Sequence, residues 1–271
     1  MDIHTKRYHV EPGQKIKIEE WDPGDTSGFE GEKEQSVDVM QVNKNSLESL
    51  QEILFAEHEH KILIVLQAMD TGGKDGVIRR VFEAVNPQGV RVVNFKEPSI
   101  NELDHDYLWR VHAQVPIKGE LVIFNRSHYE DVLIARVHEL APADVIEKRY
   151  QQIMDFERML SEEGSTIMKF FLNISYDMQK KRLQDRLADP TKQWKFNIND
   201  LNERKDWKAY MKSYEILLSK TSTDWAPWYI IPSDHEWIRD LLISKIIIST
   251  LEKLDMHYPK LKQDPKTIEI S

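Results

Sequence analysis

The sequence predicts an α/β fold, a parallel β-sheet flanked by helices, and three observations carry that expectation. Short, apolar, β-rich segments recur along the chain and alternate with segments of helical apolar spacing, which is the pattern of βα units feeding a parallel sheet. One of them, KILIVLQ at 61–67, runs directly into a double glycine and then a helical pattern. The length of 271 residues, with 40% hydrophobic content, suits one large α/β domain or two small ones with a real core.

Taken in order, residues 1–33 are polar and turn-rich (EPGQ, DPGDTSGFEG) and predict an extended arm wrapping a domain or a partner subunit. VDVMQVNKNSLESLQEILFAEH, within 35–58, has helical spacing. After the strand at 61–67 the helical positions are Val77, Ile78, Val81 and Phe82. GVRVVNF (89–95) reads as a strand before helical LDHDYLWRVH, and ELVIFN (120–125) as a strand before SHYEDVLIARVH. A long helix is expected from 144 to about 163, a strand at TIMKFFLNI (166–174), and a helix DMQKKRLQDRLAD running up to Pro190. One further helix over 200–220, a short strand WYIIP (228–232) and a long helix from WIRDLL complete a domain expected to span 34–260. The tail, 261–271, is expected to fray. There is no internal repeat.

Composition narrows the function. No cysteine is present, which excludes disulfides, thiol catalysis and zinc–thiolate sites. No apolar run approaches a membrane span and the N-terminus has no apolar leader, so a cytoplasmic enzyme with no membrane partner is expected. A net charge of −9 argues against a nucleic-acid duplex as partner. A polyanionic small substrate is compatible with that charge if basic residues gather locally.

The stretch LQAMDTGGKDGVIRR, 66–80, resembles a phosphate-binding loop that breaks its written pattern, G-x-x-x-x-G-K-[S/T], twice. Aligned on Gly73 and Lys74, Ala68 replaces the first glycine and Asp75 the hydroxyl residue. A tight βα turn with a surface lysine is the competing account. The flanking strand and helix favour phosphate binding, because adjacent glycines let backbone N–H groups turn inward and the helix N-terminus favours an anion. Lys74 then places a point charge on the transferred group, and Thr71, Gly72, Gly73, Asp75, Gly76 and Arg79 are candidates for phosphate contacts. Asp70 is a magnesium ligand or a turn-forming cap, with the metal role preferred over the same role for Asp75.

A second site follows the strand at 120–125. Asn125 stands where a carboxylate is often found, Arg126 suits transition-state charge, and Glu130 and Asp131 come a helical turn later. His128 invites a phosphoryl-carrier role, but a polar residue near a helix start is the better account. In QKKRLQDRLADPTKQWKFN, 179–197, Lys180, Lys181, Arg182, Arg186, Lys192 and Lys195 crowd together. A solvated helix face is the ordinary explanation for such a run. Its position after the strand at 166–174 instead fits a lid, at about 180–200, closing over phosphates. Lys96, just after the strand at 89–95, is placed to reach a crevice at the strand ends. His58-Glu59-His60 and Asp104-His105-Asp106 read as helix-terminal and capping residues rather than metal sites. Trp225, Trp228 and Trp237 read as core or interface.

MDTGGKDGVIRRV, NPQGV, ELDHDYLWRVH, FNRSHYEDVLIARVH, RLQDRLADPTKQWKF and APWYIIPSDHEWIRD together, in this order, resemble the polyphosphate kinase 2 family over about residues 8–255. The resemblance implies a P-loop kinase fold similar to thymidylate kinase, and Mg²⁺-dependent transfer of phosphate between inorganic polyphosphate and nucleotides. It also implies a homodimer or homotetramer. The family's loop itself carries an Asp before the glycine pair and lacks the Ser/Thr, so Ala68 and Asp75 are no departure. By resemblance Asp70 and Lys74 are the loop's catalytic pair, with Arg126 and Asp131 from the second motif and Arg182 and Arg186 from the lid. Many members have Asp-Arg-Ser where this chain has Asn125-Arg126-Ser127, which moves metal ligation to Asp70 or Asp131. NRSHYEDVL is similar to the branch that accepts both AMP and ADP to form ADP and ATP. A non-catalytic polyphosphate- or nucleotide-binding protein, and a kinase using ATP as donor, are the rival readings.

Overall fold

The computed structural model of the chain describes residues 2–264, 267 and 268; the remainder of the expected frayed tail, 265, 266 and 269–271, lies outside the described residues. Among the described residues six strands form one sheet: β1 (His9–Val10), β2 (Lys61–Gln67), β3 (Val90–Asn94), β4 (Leu121–Asn125), β5 (Ser165–Asn173) and β6 (Trp228–Pro232). Their order is β1-β6-β5-β2-β4-β3. Every pairing from β6 to β3 is parallel, and only β1 runs antiparallel, setting His9 opposite Tyr229 and Val10 opposite Trp228.

The central strand β2 is buried on both sides, which is why its sequence is a continuous apolar run rather than an alternating one. Its residues still divide by face. Leu63 and Val65 join one core with Val122, Phe124, Tyr129, Tyr214 and Trp228. Ile62, Ile64 and Leu66 join the other with Leu47, Leu54, Val77, Ile123 and Leu241. Helices α1 (Gln35–Glu57), α2 (Lys74–Val81) and α10 (Glu236–Leu251) contribute to the second core, and α5 (Glu130–Val137), α6 (Ala143–Glu162) and α9 (Trp207–Thr221) to the first. The outcome is the expected sheet with helices on both faces, and all parallel strands send their C-terminal ends to one edge.

Two helical stretches divide where the sequence suggested continuity. The stretch leading through LDHDYLWRVH forms two single-turn helices, α3 (Ile100–Leu103) and α4 (Trp109–His112), separated by a turn in which Asp106 Oδ1 accepts from the Leu108 N–H (3.0 Å). The helix expected over 200–220 splits at Asp206 into α8 (Asn199–Lys205) and α9. The remaining helix, α7 (Tyr176–Ala188), begins at Ser175, whose side chain accepts from the Met178 N–H (3.1 Å). The N-terminal arm lies against its own domain: the Ile16 N–H donates to Ser219 Oγ (2.8 Å) and the Ile18 N–H to Glu215 Oε1 (3.1 Å).

Candidate active site

The loop from Ala68 to Gly73 leaves the C-terminal end of β2 and delivers Lys74 as the first residue of α2. Its backbone is held in uncommon conformations: Thr71 has φ 62° and Gly73 φ 107°. A non-glycine residue in the left-handed region is seldom free of cost, and such residues concentrate where geometry is used. A Cβ on Gly72 would come within 2.5 Å of the Ala68 Cβ, so the double glycine is set by space as well as by φ. The Thr71 hydroxyl is buried with no hydrogen-bond partner among the described residues.

Lys74 is 8% exposed, and its Nζ donates back to the Ala68 carbonyl at 3.0 Å. Burial, and then the nearby Arg126 guanidinium, push its pKa down from 10.5 to about 8, against the opposing carboxylates Asp70, Glu130 and Asp75. The ammonium is therefore incompletely compensated, which suits a group that takes a phosphate oxygen.

β4, beside β2, brings the second motif. Arg126 also has a positive φ, 60°, and its N–H donates to the Leu66 carbonyl (3.1 Å), tying the end of β4 to the end of β2. Its Nη2 donates to Asp70 Oδ1 (2.5 Å), and Nη1 lies 3.6 Å from Glu130 Oε2. Burial works against its charge, but Glu130 and Asp70 outweigh it and hold the guanidinium protonated. Burial raises the pKa of Glu130, with Arg126 and Lys74 opposing. Gln67, with its amide set to match its neighbours, donates to Glu130 Oε1 (2.9 Å) and accepts from Ser127 Oγ (3.0 Å). Asp70, Lys74, Arg126 and Glu130 thus form one cluster. Asn125 Nδ2 donates to Asp75 Oδ1 (3.0 Å) and to Asn94 Oδ1 (2.8 Å), bridging the loop side to β3.

Asp131, the other carboxylate expected to serve a metal, has different charged neighbours from Glu130. Burial raises its pKa, and the cations that oppose this are Arg149 and Arg110, on α6 and α4, rather than Lys74. The reason is helix phase: successive residues of α5 point about 100° apart, so Glu130 and Asp131 cannot share a direction. His128 is fully buried with Nε2 3.1 Å from Glu157 Oε1, which removes the phosphoryl-carrier role. It belongs to a buried network in which Lys169 Nζ donates to Glu157 Oε2 (2.6 Å), the Tyr129 hydroxyl (2.8 Å) and the Thr221 carbonyl (2.7 Å). That network grips the turn from Ser127 to Tyr129 from behind and so fixes Arg126. Arg79 is exposed, and Glu83 is a charged group it influences.

The basic segment splits into parts. Arg182 folds onto the loop: Nη1 donates to the Thr71 carbonyl (3.1 Å) and Nη2 to the Ser233 carbonyl (2.5 Å). Gln179 Nε2 donates to the Asp70 carbonyl (3.1 Å). Arg186 Nη1 reaches the Lys195 carbonyl (3.3 Å) and Asp200 (3.5 Å), joining α7 to α8 and to the segment before it. Lys195 Nζ stands 3.6 Å from Asp75 Oδ2, whereas Lys192 pairs with Asp189 (2.8 Å) away from the loop. Burial, and then Asp70, raise the Asp200 pKa from 3.8 to about 6, so this part of the chain does lie over the phosphate loop. Lys96 is exposed, and its carbonyl accepts from Arg110 Nη1 (2.9 Å). Gln67, Gln179, Arg80, Asp200 and Arg239 were not singled out from sequence. Only Gln67 had a local signal there, as the polar residue ending an apolar strand.

The set of carboxylate and amide oxygens is hard-donor chemistry that suits a divalent cation. Among the described residues no group of three or more acidic or histidine side chains gathers as a closed metal site. Asp70 is the carboxylate carried by the loop itself, and Arg126 pairs with it. Among the described residues no helix is long and apolar enough to cross a membrane.

The sequence profile of the polyphosphate kinase 2 family matches residues 30–259. The AMP/ADP-polyphosphate phosphotransferase of Meiothermus ruber is 55% identical over 255 residues, covering 94% of this chain and 96% of that protein. The ADP-polyphosphate phosphotransferase of Rhodopseudomonas palustris is 41% identical, covering 96% and 94%. The crystal structure of polyphosphate kinase 2 from Arthrobacter aurescens superposes with a TM-score of 0.93 at 42% identity, over 96% of this chain and 93% of that one. On the profile match, these identities and this superposition, this chain belongs to the polyphosphate kinase 2 family.

Proposed function

We propose that the protein transfers phosphate from inorganic polyphosphate to AMP and ADP, forming ADP and ATP, by direct and reversible in-line displacement. The observation that carries this reading is the cluster of Asp70, Lys74, Arg126 and Glu130 at the end of β2, in a chain 55% identical to an AMP/ADP-polyphosphate phosphotransferase. The attacking group is a nucleotide phosphate oxygen, already ionised at neutral pH, so no general base is required. Catalysis is then alignment and charge neutralisation.

Lys74 leaves the Ala68 carbonyl for an oxygen of the transferring group. Arg126, held on both sides by Asp70 and Glu130, presents its remaining N–H groups to the same phosphate without reorganising. Magnesium, held through Asp70, would supply charge neutralisation across adjacent phosphates. Asn125, being neutral, leaves the acceptor side with less fixed negative charge than an aspartate would, which favours accepting either AMP or ADP. The segment around 180–200 closes over the loop through Arg186 and Lys195. Assembly as a homodimer or homotetramer in the cytoplasm completes the reading, on the strength of the family resemblance.

The test is an incubation of ADP with polyphosphate and Mg²⁺, with ATP measured by luminescence. ATP that depends on both polyphosphate and the metal supports the proposal. Turnover that requires ATP as donor makes the protein an ordinary nucleotide kinase, and binding without turnover makes it a non-catalytic binder.

A further inference from the structure

Helix α7 grips the phosphate loop through two side chains one turn apart. Gln179 Nε2 donates to the Asp70 carbonyl (3.1 Å), and Arg182 Nη1 donates to the Thr71 carbonyl (3.1 Å). A spacing of three residues puts both on one face of α7. The two carbonyls flank Thr71, the loop residue at φ 62°, and such a backbone persists where its surroundings over-determine it. The start of α7 is itself fixed, since the Ser175 N–H donates to Asp234 Oδ1 (2.8 Å), just beyond β6. Gly73 is braced from another side, by the buried Arg239, whose Nη1 lies in the space a Cβ would need.

Gln179 is fully buried, and both ends of its amide are used. Oε1 accepts from Arg204 Nη1 (2.7 Å) while Nε2 holds the loop. The reversed amide would set its oxygen against the Asp70 carbonyl and its nitrogen against a guanidinium, so these partners fix its orientation. Arg204 belongs to α8. It also donates to the Tyr176 carbonyl (2.7 Å), and its guanidinium lies 3.3 Å from the centre of the Tyr176 ring. Among the described residues no hydrogen bond or ion pair joins Arg204 to the loop directly. The same helix carries Asp200, which lies 3.5 Å from Arg186, and Glu203, which accepts from the Tyr210 hydroxyl (2.5 Å) and lies 2.8 Å from His138 Nε2. The seat of α8 is therefore built on α7, α9 and the end of α5, and it reaches the loop through the Gln179 amide.

Holding the Asp70 carbonyl orients more than the carbonyl. The Asp70–Thr71 peptide is planar and trans, so the Thr71 N–H points away from α7. The same hold fixes the backbone from which the Asp70 carboxylate meets Arg126 Nη2 (2.5 Å). We propose that Gln179 and Arg204 are positioning residues for phosphate transfer: Gln179 fixes the Asp70–Thr71 peptide, and Arg204 makes that hold depend on the seating of α8. With α8 seated, Arg204 aligns the amide and Asp70 is set against Arg126. With α8 lifted, the amide loses its second partner and the loop loses its brace. The loop is thus in order only when the helix carrying Asp200 covers it. This rests on the reading of the loop as the phosphate-transfer site, and it adds residues that set the loop without touching substrate.

The experiment measures kcat and KM with polyphosphate and ADP, per mole of folded protein, for Gln179→Met, Arg204→Met and the double variant. Gln179→Met is expected to lower kcat about tenfold, the worth of one lost buried hydrogen bond. Both KM values should stay within about twofold, the split expected when geometry of the transition state alone is disturbed. Arg204→Met should lower kcat as well, and should lower it no further once Gln179 is already Met. Exchange of the Gly72 amide, which donates to the Met69 carbonyl (2.9 Å), should quicken in each variant. Losses that multiply in the double variant overturn the proposal, and so does a raised KM for polyphosphate with kcat unchanged, which would make Gln179 an anchor of α8 alone. If Gln179→Met does not fold, the kcat, KM and Gly72 exchange of Arg204→Met decide. If the wild type makes no ATP, the functional reading fails, and Gly72 exchange decides separately: faster exchange in Arg204→Met supports the link from α8 to the loop, and unchanged exchange overturns it.

Discussion

Replacing Lys74 by Met should make the free protein more stable while abolishing its turnover, and the two effects have one cause. Lys74 is charged in a site that under-compensates it: its pKa falls from 10.5 to about 8 on folding. A group whose pKa is lower in the folded state binds fewer protons there than in the unfolded chain. Stability therefore rises with pH between about 8 and 10.5 and is lower below that window, where both states carry the charge. At pH 7 the penalty is on the order of 3 kcal/mol. Lys74→Met keeps the aliphatic stem, removes the charge, and should recover much of that amount. Only the Ala68 carbonyl loses a hydrogen-bond donor, a loss of roughly 1 kcal/mol. The assay is urea denaturation of both proteins at a series of pH values from 7 to 10.5. The difference in stability should favour Lys74→Met at pH 7 and shrink toward the alkaline end. Turnover should drop about a hundred- to thousandfold, the usual loss for one preorganised transition-state contact. A variant less stable than wild type at pH 7, or a difference that does not change with pH, would refute the electrostatic account of this lysine. Near-normal turnover would remove Lys74 from the mechanism.

Two further outcomes follow from the surroundings of the site. Arg186→Ala should weaken use of polyphosphate by loosening the segment before α8, and 1 M salt should mimic it, because screening then shortens electrostatic reach to about 3 Å; polyphosphate should also slow proteolysis near Asp189-Pro190, and unchanged kinetics without protection would leave the segment a solvated helix. Glu157→Ala strands the buried Lys169 charge and should cost about 3–5 kcal/mol in denaturant titrations, whereas Glu157→Met combined with Lys169→Met should recover most of it; a double variant as unstable as the single one would show that packing, not charge, dominates there.

The fold was largely legible because of how the sheet is buried. Strands β2, β4 and β5 are covered on both faces, so KILIVLQ, LVIFN and TIMKFFLN stand out as short apolar runs, and their alternation with helical spacing leaves little choice of architecture. Strand β1 was not legible, since two residues within a polar arm carry no periodicity of their own. The breaks at Asp104 to Leu108 and at Asp206 escaped for a related reason. Asp104 to Asp106 already read as helix-terminal residues, but that the chain restarts as a separate turn at Trp109, and that Asp206 ends one helix and begins another, shows only in the backbone conformation. In the site, the loop and Arg126 were readable because their chemistry depends on neighbours in sequence. Glu130 and Asp131 could not be told apart without the phase of α5. Arg239 was invisible in WIRDLLISK, because an arginine in an amphipathic helix is ordinarily solvated, and its burial against Gly73 depends on how α10 packs on α2.

The fate of AMP tests dual-acceptor phosphotransfer most directly. With protein free of adenylate kinase, inorganic polyphosphate, Mg²⁺ and AMP are followed in time by anion-exchange chromatography of the nucleotides. ADP should appear first, ATP should follow after a lag, and omission of polyphosphate should stop both steps. AMP and ADP that remain unconverted in the presence of polyphosphate would contradict the account, and conversion of ADP alone would confine it to a single acceptor.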